Sequence, residues 1–411
     1  MGNTLLTPSL ITKEALMVLE NNLAFTKAVD KGYSKDFGTQ AAAGQKIGST
    51  LKVRMPPKYV GRTGAAISVE DATETSVDVS LTTQAGVDIS FSSADLTLSI
   101  DEFSDRFIKP ALANIANRID NDGMALYKNV YNSVGTPGTS LYAVGGLALK
   151  PYTDAGVKLD NTGTPRDQDR NAVISSQNQA DLVIGLAGLF NDTTDIAKQY
   201  RDGTMGRAAG YKFSMDQNVN ALTIGAQGGT PLVDGAAQTG STLLTKGWTA
   251  AVASRLGVGD IFTIAGVYSV NTQSKAILPG VLQQFVVTAA FSSLIGGGGT
   301  ISIDPPIRTT TGFQTVNASP ADGAAITVVG AAGTVSAQSL AFHRDAFTLA
   351  CADLEMPQGV DFSARKADKR TGVSVRMVRQ YVIATDQFPC RLDVLYGWKC
   401  LRPELACRIQ S

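Results

Sequence analysis

The sequence predicts an α+β chain of several lobes, on three observations. From Leu340 to Ile409 apolar residues recur every second position, the spacing of half-buried strands. Over residues 99 to 131 they recur every third or fourth, the spacing of a helix. Between about Val219 and Val335 helical spacing disappears, and short strands stand in a background of Gly, Thr, Ser and Ala. A chain of 411 residues is too long for one ordinary core, so two or three lobes are expected.

In chain order, residues 11 to 25 read as a short amphipathic helix, with Ile11, Ala15, Leu19 and Leu23 on one stripe and Thr12 placed to cap it. Asp30 to Gly48 is polar and Gly-rich. From Thr50 to Leu98 the pattern turns strand-like: LKVRM first, then Val77, Val79 and Leu81, then Val87, Ile89 and Phe91, each alternating with polar residues. The strand-like ends flank a polar, Gly-containing middle, PPKYVGRTGAAISVEDATE, and so long a loop is usually functional or disordered. Ser99 and Glu102 make a capping box, after which Phe103, Phe107, Ile108, Leu112, Ile115, Ile119, Leu126, Tyr127 and Val130 carry a helix to about Tyr131. Pro110 must kink or split it, because proline lacks the amide proton and clashes with the preceding turn.

Ser133 to Asp169 reads as loop. NAVIS at 171 to 175 reads as a strand, followed by a helix capped by Ser176 and Gln179 with Ala180, Val183, Ile184, Ala187 and Phe190 on its apolar side. A further helical stretch is expected over Ile196 to Met205. Within Val219 to Val335, strands are expected at Asp260 to Val270, Leu282 to Ala290, Thr300 to Ile303 and Ala325 to Val329, with Phe262, Ile264, Val267, Phe285, Val287 and Ile301 as their core. Beyond them, Val373, Val375, Met377, Tyr381 and Ile383 form one strand and Leu392, Val394, Tyr396 and Trp398 another. ATDQFP connects the two as a long antiparallel hairpin, which needs a sheet or helices to cover its apolar face.

LAFHRDAFTLA followed by VLYGWKCLRPELA resembles the C-terminal signature of the coat proteins of the Salmonella phage P22 group, tailed-phage major capsid proteins with the HK97 shell fold. The resemblance implies an N-terminal arm over 1–48, an E-loop with flanking strands over 49–98, and a spine helix and peripheral domain over 99–170. It also implies an axial domain beginning at 171–218, an inserted β domain over 219–335, and a return to the axial and peripheral domains over 336–411. GDIFTIAGVYSVN resembles a strand of that insertion. The residues alone leave the N-terminal stretch open between an arm and a frayed terminus.

The same resemblance implies a subunit that packs with itself as hexamers and pentamers of an icosahedral shell. It would assemble around a scaffolding protein in the host bacterial cytoplasm, with a portal protein at one vertex, and enclose double-stranded DNA through weak non-specific contact. A non-viral encapsulin-like compartment is the alternative. In the P22 group a loop of the insertion makes charged contacts between capsomers; the corresponding Val233 to Gly247 carries only Asp234 and Lys246.

Composition agrees with a structural part. Lys plus Arg and Asp plus Glu are each 36, so no net positive charge points to tight nucleic-acid binding, and the charged fraction of 18% with 41 glycines suits a surface covered by other subunits. Cys351, Cys390, Cys400 and Cys407 form no zinc or Cys-x-x-Cys pattern and read as free thiols. No run reaches the length of a membrane span, and the opening residues lack a signal-peptide pattern.

The single histidine, His343, stands beside Arg344 and Asp345 on an expected strand with no nucleophile to serve. Gly296 to Gly299 lacks the Lys and Ser/Thr of a phosphate cradle and reads as a flexible hairpin tip. The acidic clusters Asp101-Glu102, Asp120-Asp122 and Asp167-Asp169 lack metal-site spacing. Arg365, Lys366, Lys369 and Arg370 form a positive patch on an expected loop, either solvated or facing an acidic neighbour, a scaffold or packaged DNA. No catalytic, cofactor-binding or metal-binding residue is assigned, and no enzyme activity is expected.

Overall fold

A computed structural model describes residues 23–34, 37, 49–62, 64–67, 69–71, 74–92, 109–141, 148–186, 206–250, 253–310, 312–367 and 372–411. The strands are β1 (Thr50–Met55), β2 (Thr75–Ser80), β3 (Thr83–Ser92), β4 (Ser133–Gly135), β5 (Arg170–Ile174), β6 (Arg207–Ala208), β7 (Tyr211–Met215), β8 (Ala221–Thr223), β9 (Gly229–Val233), β10 (Gly240–Trp248) and β11 (Ser254–Leu256). They continue as β12 (Ile261–Val270), β13 (Ile277–Val287), β14 (Phe291–Ser292), β15 (Gly299–Ile307), β16 (Ile326–Val328), β17 (Val335–His343), β18 (Phe347–Ala352), β19 (Phe362–Ala367), β20 (Ser374–Arg379), β21 (Gln387–Cys400) and β22 (Ala406–Gln410). α-Helices are described at Phe25–Ala28, Lys109–Met124, Lys150–Asn161 and Ser176–Leu186. The chain forms two compact units, one from the described residues of 1–53, 77–124 and 347–399, the other from those of 54–76, 125–346 and 400–411.

The first unit is built on β21. This strand pairs with β3 along ten residues, from Gln387↔Ser92 to Tyr396↔Thr83, and with β20 from Arg376↔Asp393 to Arg379↔Cys390. β18 and β19 complete a five-stranded sheet. Cys390, Leu392, Val394 and Tyr396 are buried at every second position, as the alternation requires. Asp393 breaks the pattern because its charge is met: Arg376 donates Nε to Oδ1 at 3.0 Å and Nη2 to Oδ2 at 2.6 Å, and Gln84 donates to Oδ2 at 2.6 Å. Gly86 is required beside it, since a Cβ there would stand 2.5 Å from the Leu392 carbonyl. The hairpin partner strand stops at Arg379 rather than Ile383; Ile383 is 84% exposed in a turn that Asp386, at φ 50°, reverses.

The Lys109–Met124 helix packs against β3, and its Leu112, Ile115, Ala116 and Ile119 are buried. It does not run on to Tyr131. At Ala125–Asn129 the backbone tightens into a 3-10 turn, closed by the Val130 amide on the Tyr127 carbonyl. The expected start, with Ser99, Glu102, Phe103, Phe107 and Ile108, lies outside the described residues, as does the helix expected over 11 to 25 except for its last residues. There a single helical turn, Phe25–Ala28, is described, and Phe25 is buried.

Among its described residues the second unit contains two large sheets and a small one, β11-β14. One runs β4-β22-β17-β5-β7-β6, with β8 also paired to β17; the other runs β16-β12-β13-β15-β10-β9. The six residues expected to form the β core, Phe262, Ile264, Val267, Phe285, Val287 and Ile301, are all 0% exposed in one cluster with Trp248, Phe291 and Ile303. Burying each such side chain contributes ~1.5–3 kcal/mol. β9 and β10, not foreseen, extend this sheet, so the segment from Val233 to Gly247 is mostly strand rather than loop. Its Gly, Ser and Thr hide the alternation, in which Leu243 and Thr245 are buried before an irregularity between Lys246 and Trp248 shifts the phase and buries Trp248. The 296–299 turn is held as well: the Trp248 amide donates to the Gly297 carbonyl at 2.9 Å.

Two further expectations are corrected. Lys150–Asn161, expected as loop, is a helix entered through Pro151, with Tyr152, Ala155 and Leu159 buried against β22 and its neighbours. The helix at Ser176–Leu186 is capped by Ser175, whose Oγ accepts the Asn178 amide at 3.2 Å, not by Ser176. The face of this helix turned inward carries Asn178, Asp181 and Leu182, while Ala180 and Ile184 are exposed. Asp181 is buried because it accepts from Ser140 Oγ at 2.7 Å and the Leu141 amide at 3.1 Å. Ala187, Phe190 and the helix expected over Ile196 to Met205 lie outside the described residues.

Candidate assembly surfaces

The stretch between β1 and β2 contains no helix or strand among its described residues, and its apolar side chains face outward: Tyr59, Val60, Ile67 and Val69 are all exposed, the last two at 85%. Its root is fixed. A Cβ on Gly312 would collide with the Lys58 carbonyl, and Lys58 Nζ lies 3.7 Å from Glu404. Farther out, Glu70 accepts the Val60 and Gly61 amides, both at 2.8 Å, closing the stretch on itself. A rooted loop that holds isoleucine and valine in water has apolar surface to cover.

The second feature is the seat of the 24–34 segment in the first unit. Asp120, 0% exposed on the Lys109–Met124 helix, accepts the amides of Ala24 (2.6 Å), Phe25 (3.1 Å) and Thr26 (3.0 Å) and the Thr26 hydroxyl (2.5 Å). Phe25 then packs on Phe347 and Trp398, with ring centroids 5.6 and 5.3 Å away. Gly123 leaves the room this needs, since a Cβ there would lie 2.8 Å from Phe25. Asp30 extends the seat by bridging to Thr348. Asp122, two residues on, accepts the Tyr396 hydroxyl at 2.6 Å. Sequence spacing marked the pair only as acidic; the capping of a distant turn by Asp120 had no local signature.

A cleft of about 450 Å³ in the second unit is lined by Asp160, Arg166, Arg170 and Arg207 among others. Asp160 binds Arg166 through both oxygens and Arg170 at 2.8 Å, and these guanidiniums hold its carboxyl below the usual carboxylate range. His343 ends β17 while Arg344 and Asp345 begin a 3-10 turn, because the Arg344 amide bonds back to the Asp169 carbonyl; the three do not alternate on one strand. His343 Nε2 lies 3.0 Å from Asp167 Oδ2, and this bond lowers the Asp167 pKa.

Of the positive patch, Arg365 and Lys366 belong to edge strand β19, not to a loop, and Arg365 reaches Asp353 at 3.6 Å; Lys369 and Arg370 lie outside the described residues, as do Asp101 and Glu102. Charge on an edge strand discourages indiscriminate pairing with other sheets. Asp234 and Lys246 pair with each other at 3.3 Å, and Lys246 also binds Asp322 at 2.7 Å. All four cysteines are buried and outside any disulfide, and burial pushes the Cys351, Cys390 and Cys407 thiols up, to about 12, 11 and 12. Among the described residues no group of three potential ligands could hold a metal ion, and no helix is long and apolar enough to cross a membrane.

No curated protein sequence matches. Solved structures similar to this chain include one titled for Mycobacterium phage Che8 (12% identity, TM-score 0.46, covering 94% of this chain and 90% of that one). Another is the mature capsid of bacteriophage PhiM1 (10%, 0.43, 89% and 83%). A third is a virus-like particle from Pyrococcus furiosus (7%, 0.36, 97% and 96%). The model of the P22 coat protein family, described as gene protein 5, matches residues 3–409, a span that takes in both compact units and each surface above. The chain therefore belongs to the P22 coat protein family and is a phage major capsid protein.

Proposed function

We propose that copies of this chain close into hexamers and pentamers of an icosahedral shell around double-stranded DNA, with the HK97 arrangement of parts. In this reading residues 1–48 are the N-terminal arm, 49–98 the E-loop, 99–170 the spine and peripheral domain, 171–218 and 336–411 the axial and peripheral remainder, and 219–335 an inserted β domain. The observation that carries it is the stretch between β1 and β2, where Ile67 and Val69 stand 85% exposed on a loop whose root is fixed. A neighbouring copy supplies the cover, and closed symmetry multiplies one modest contact around every ring. The insertion is supported by the pairing of β8 with β17, Thr223↔Val335 to Ala221↔Ala337, which brings the two ends of the segment side by side.

A scaffolding protein, a portal and packaged DNA complete the proposed partners, and the host bacterial cytoplasm is the proposed site of assembly. The test is co-expression with scaffold, viewed by electron microscopy. Shells are expected from the parent chain. Ile67→Ser/Val69→Ser is expected to leave the monomer's melting temperature within ~2 °C, since surface changes rarely exceed about 0.5 kcal/mol, and to cut the yield of closed shells severely. Normal shells from that double variant would overturn the assignment of the loop as a contact between copies.

A further inference from the structure

Arg408 is the largest fully buried side chain among the described residues, at 0% exposure on β22, between β4 and β17. Its guanidinium lies 5.6 Å from the centroid of the Tyr127 ring, and Nη1 reaches Gln338 Oε1 only at 3.4 Å. Nε and Nη2, the edge that grips a carboxylate through two parallel N–H bonds, have no hydrogen-bond partner among the described residues. Burial draws the pKa down to about 10, so the side chain stays charged at neutral pH.

The group of opposite charge that acts on it is Asp260, 1% exposed, which immediately precedes β12. Oδ2 accepts the Gly225 amide at 3.0 Å and the Gly257 amide at 2.8 Å, while Oδ1 has no partner among the described residues. Tyr127 feels both charges, and the Gly259 backbone packs against it. Ser133 Oγ, on the β4 residue in register with Arg408, and Gln410 Oε1 are likewise buried without partners. One end of the cluster thus offers two donors and the other offers acceptors, the chemistry that ordered interior water satisfies.

We propose that Arg408 and Asp260 form a water-bridged buried charge pair that positions β12, and with it the sheet β16-β12-β13-β15-β10-β9, on strand β22. The pair acts across the junction of the two large sheets of the second unit. For a capsid protein this matters because an error in the angle between parts of one subunit is repeated in every copy. The proposal does not depend on residues 219–335 being an insertion or folding alone.

The test is a double-mutant cycle on the full chain, with urea unfolding followed by tryptophan fluorescence. Arg408→Met keeps the bulk and removes the charge; Asp260→Asn removes the charge and keeps an oxygen for the Gly225 and Gly257 amides. Each single variant is expected to lower the unfolding midpoint, and the two together to lower it by less than the sum, a coupling of about tenfold in the folding equilibrium constant. Asp160→Asn, an acid of the same unit outside the cluster, is expected to add to Arg408→Met without coupling. Additive losses from Arg408→Met and Asp260→Asn would overturn the pair. Should Arg408→Met not accumulate in soluble form, Arg408→Gln, which removes the charge and keeps a polar amide in the cluster, takes its place in the cycle with the same two outcomes.

Discussion

The β9–β10–β12–β13–β15–β16 sheet and the sheet around β22 belong to one compact unit but hide different things. The first closes over Phe262, Phe285, Ile264, Val287 and Ile303, and the Trp248 indole donates to Thr245 Oγ1 at 2.9 Å, which in turn donates to the Gly299 carbonyl. The second, beside the apolar cluster of Ala172, Ile174, Ala341 and Ile409 under the Lys150–Asn161 helix, also buries Arg408, Gln338, Gln410, Ser336 and Ser339 among its strands. An apolar core is satisfied by volume and tolerates exchange of one hydrocarbon for another. A polar core is satisfied only by particular partners in particular orientations, so it fixes register and direction and fails harder when one member is lost.

That contrast can be broken most forcefully from the apolar side. Phe285→Ala, which removes a ring stacked on Phe262 at 5.8 Å, is expected to cost about 3–5 kcal/mol in urea unfolding, while Phe285→Leu costs roughly 1.5 kcal/mol or less. The polar side should not show this tolerance. Gln338→Leu is nearly isosteric, yet it strips Arg408 Nη1 and Gln410 Nε2 of their acceptor, and a loss of about 1–3 kcal/mol is expected in the same assay. A loss no larger than that of Phe285→Leu would erase the distinction between the two regions.

A smaller effect tests a charge placed on the apolar sheet. Asp304, partly buried on β15, has its pKa raised to about 6 from 3.8, first by burial and then by Glu404. Its unfolded form gives up the proton earlier, so its contribution is fully present below pH ~4 and is lost as pH rises through about 6. Thermal melts of the parent should fall by on the order of 1 kcal/mol over that window after solvent screening. Asp304→Asn should flatten this slope; an unchanged slope would assign it to other groups. The smallest effect is expected at His343→Ala, which gives up the contact to the half-exposed Asp167. A loss under about 1 kcal/mol with normal shells is expected, read by melting and electron microscopy.

Where side-chain alternation and burial coincide, the fold was legible: β3, β12, β13, β20 and β21 lie where apolar residues alternate, and the six expected core residues share one cluster. Three kinds of error have physical causes. β10 was lost because Gly240, Ser241 and Thr242 precede its apolar positions, and packing by neighbours, not propensity, makes it a strand. Lys150–Asn161 was lost because its inward stripe is only Tyr152, Ala155 and Leu159, too thin to distinguish from loop. The Ser176–Leu186 helix was turned the wrong way because Asn178 and Asp181 are buried by partners far away in sequence, such as Ser339 Oγ at 2.9 Å from Asn178 Nδ2. Asp120 and Arg408 escaped for the same reason: a buried charge has no period, and only its distant partners explain it.

The placement of β21 and β22 has a consequence for the order of events during synthesis. β3 is made by residue 92, but its partner β21 begins at residue 387; β5 and β4 likewise wait for β17 and β22. At ~5–20 residues per second the ribosome takes roughly 15–60 s to cover that interval, during which β3 has an unpaired edge and Phe91 and Ala85 lack their cover. Closure of both units is therefore late, and the nascent chain passes through a long period as a substrate for holding factors. Slowing translation between residues 92 and 387 lengthens that exposure without altering a single contact of the finished subunit.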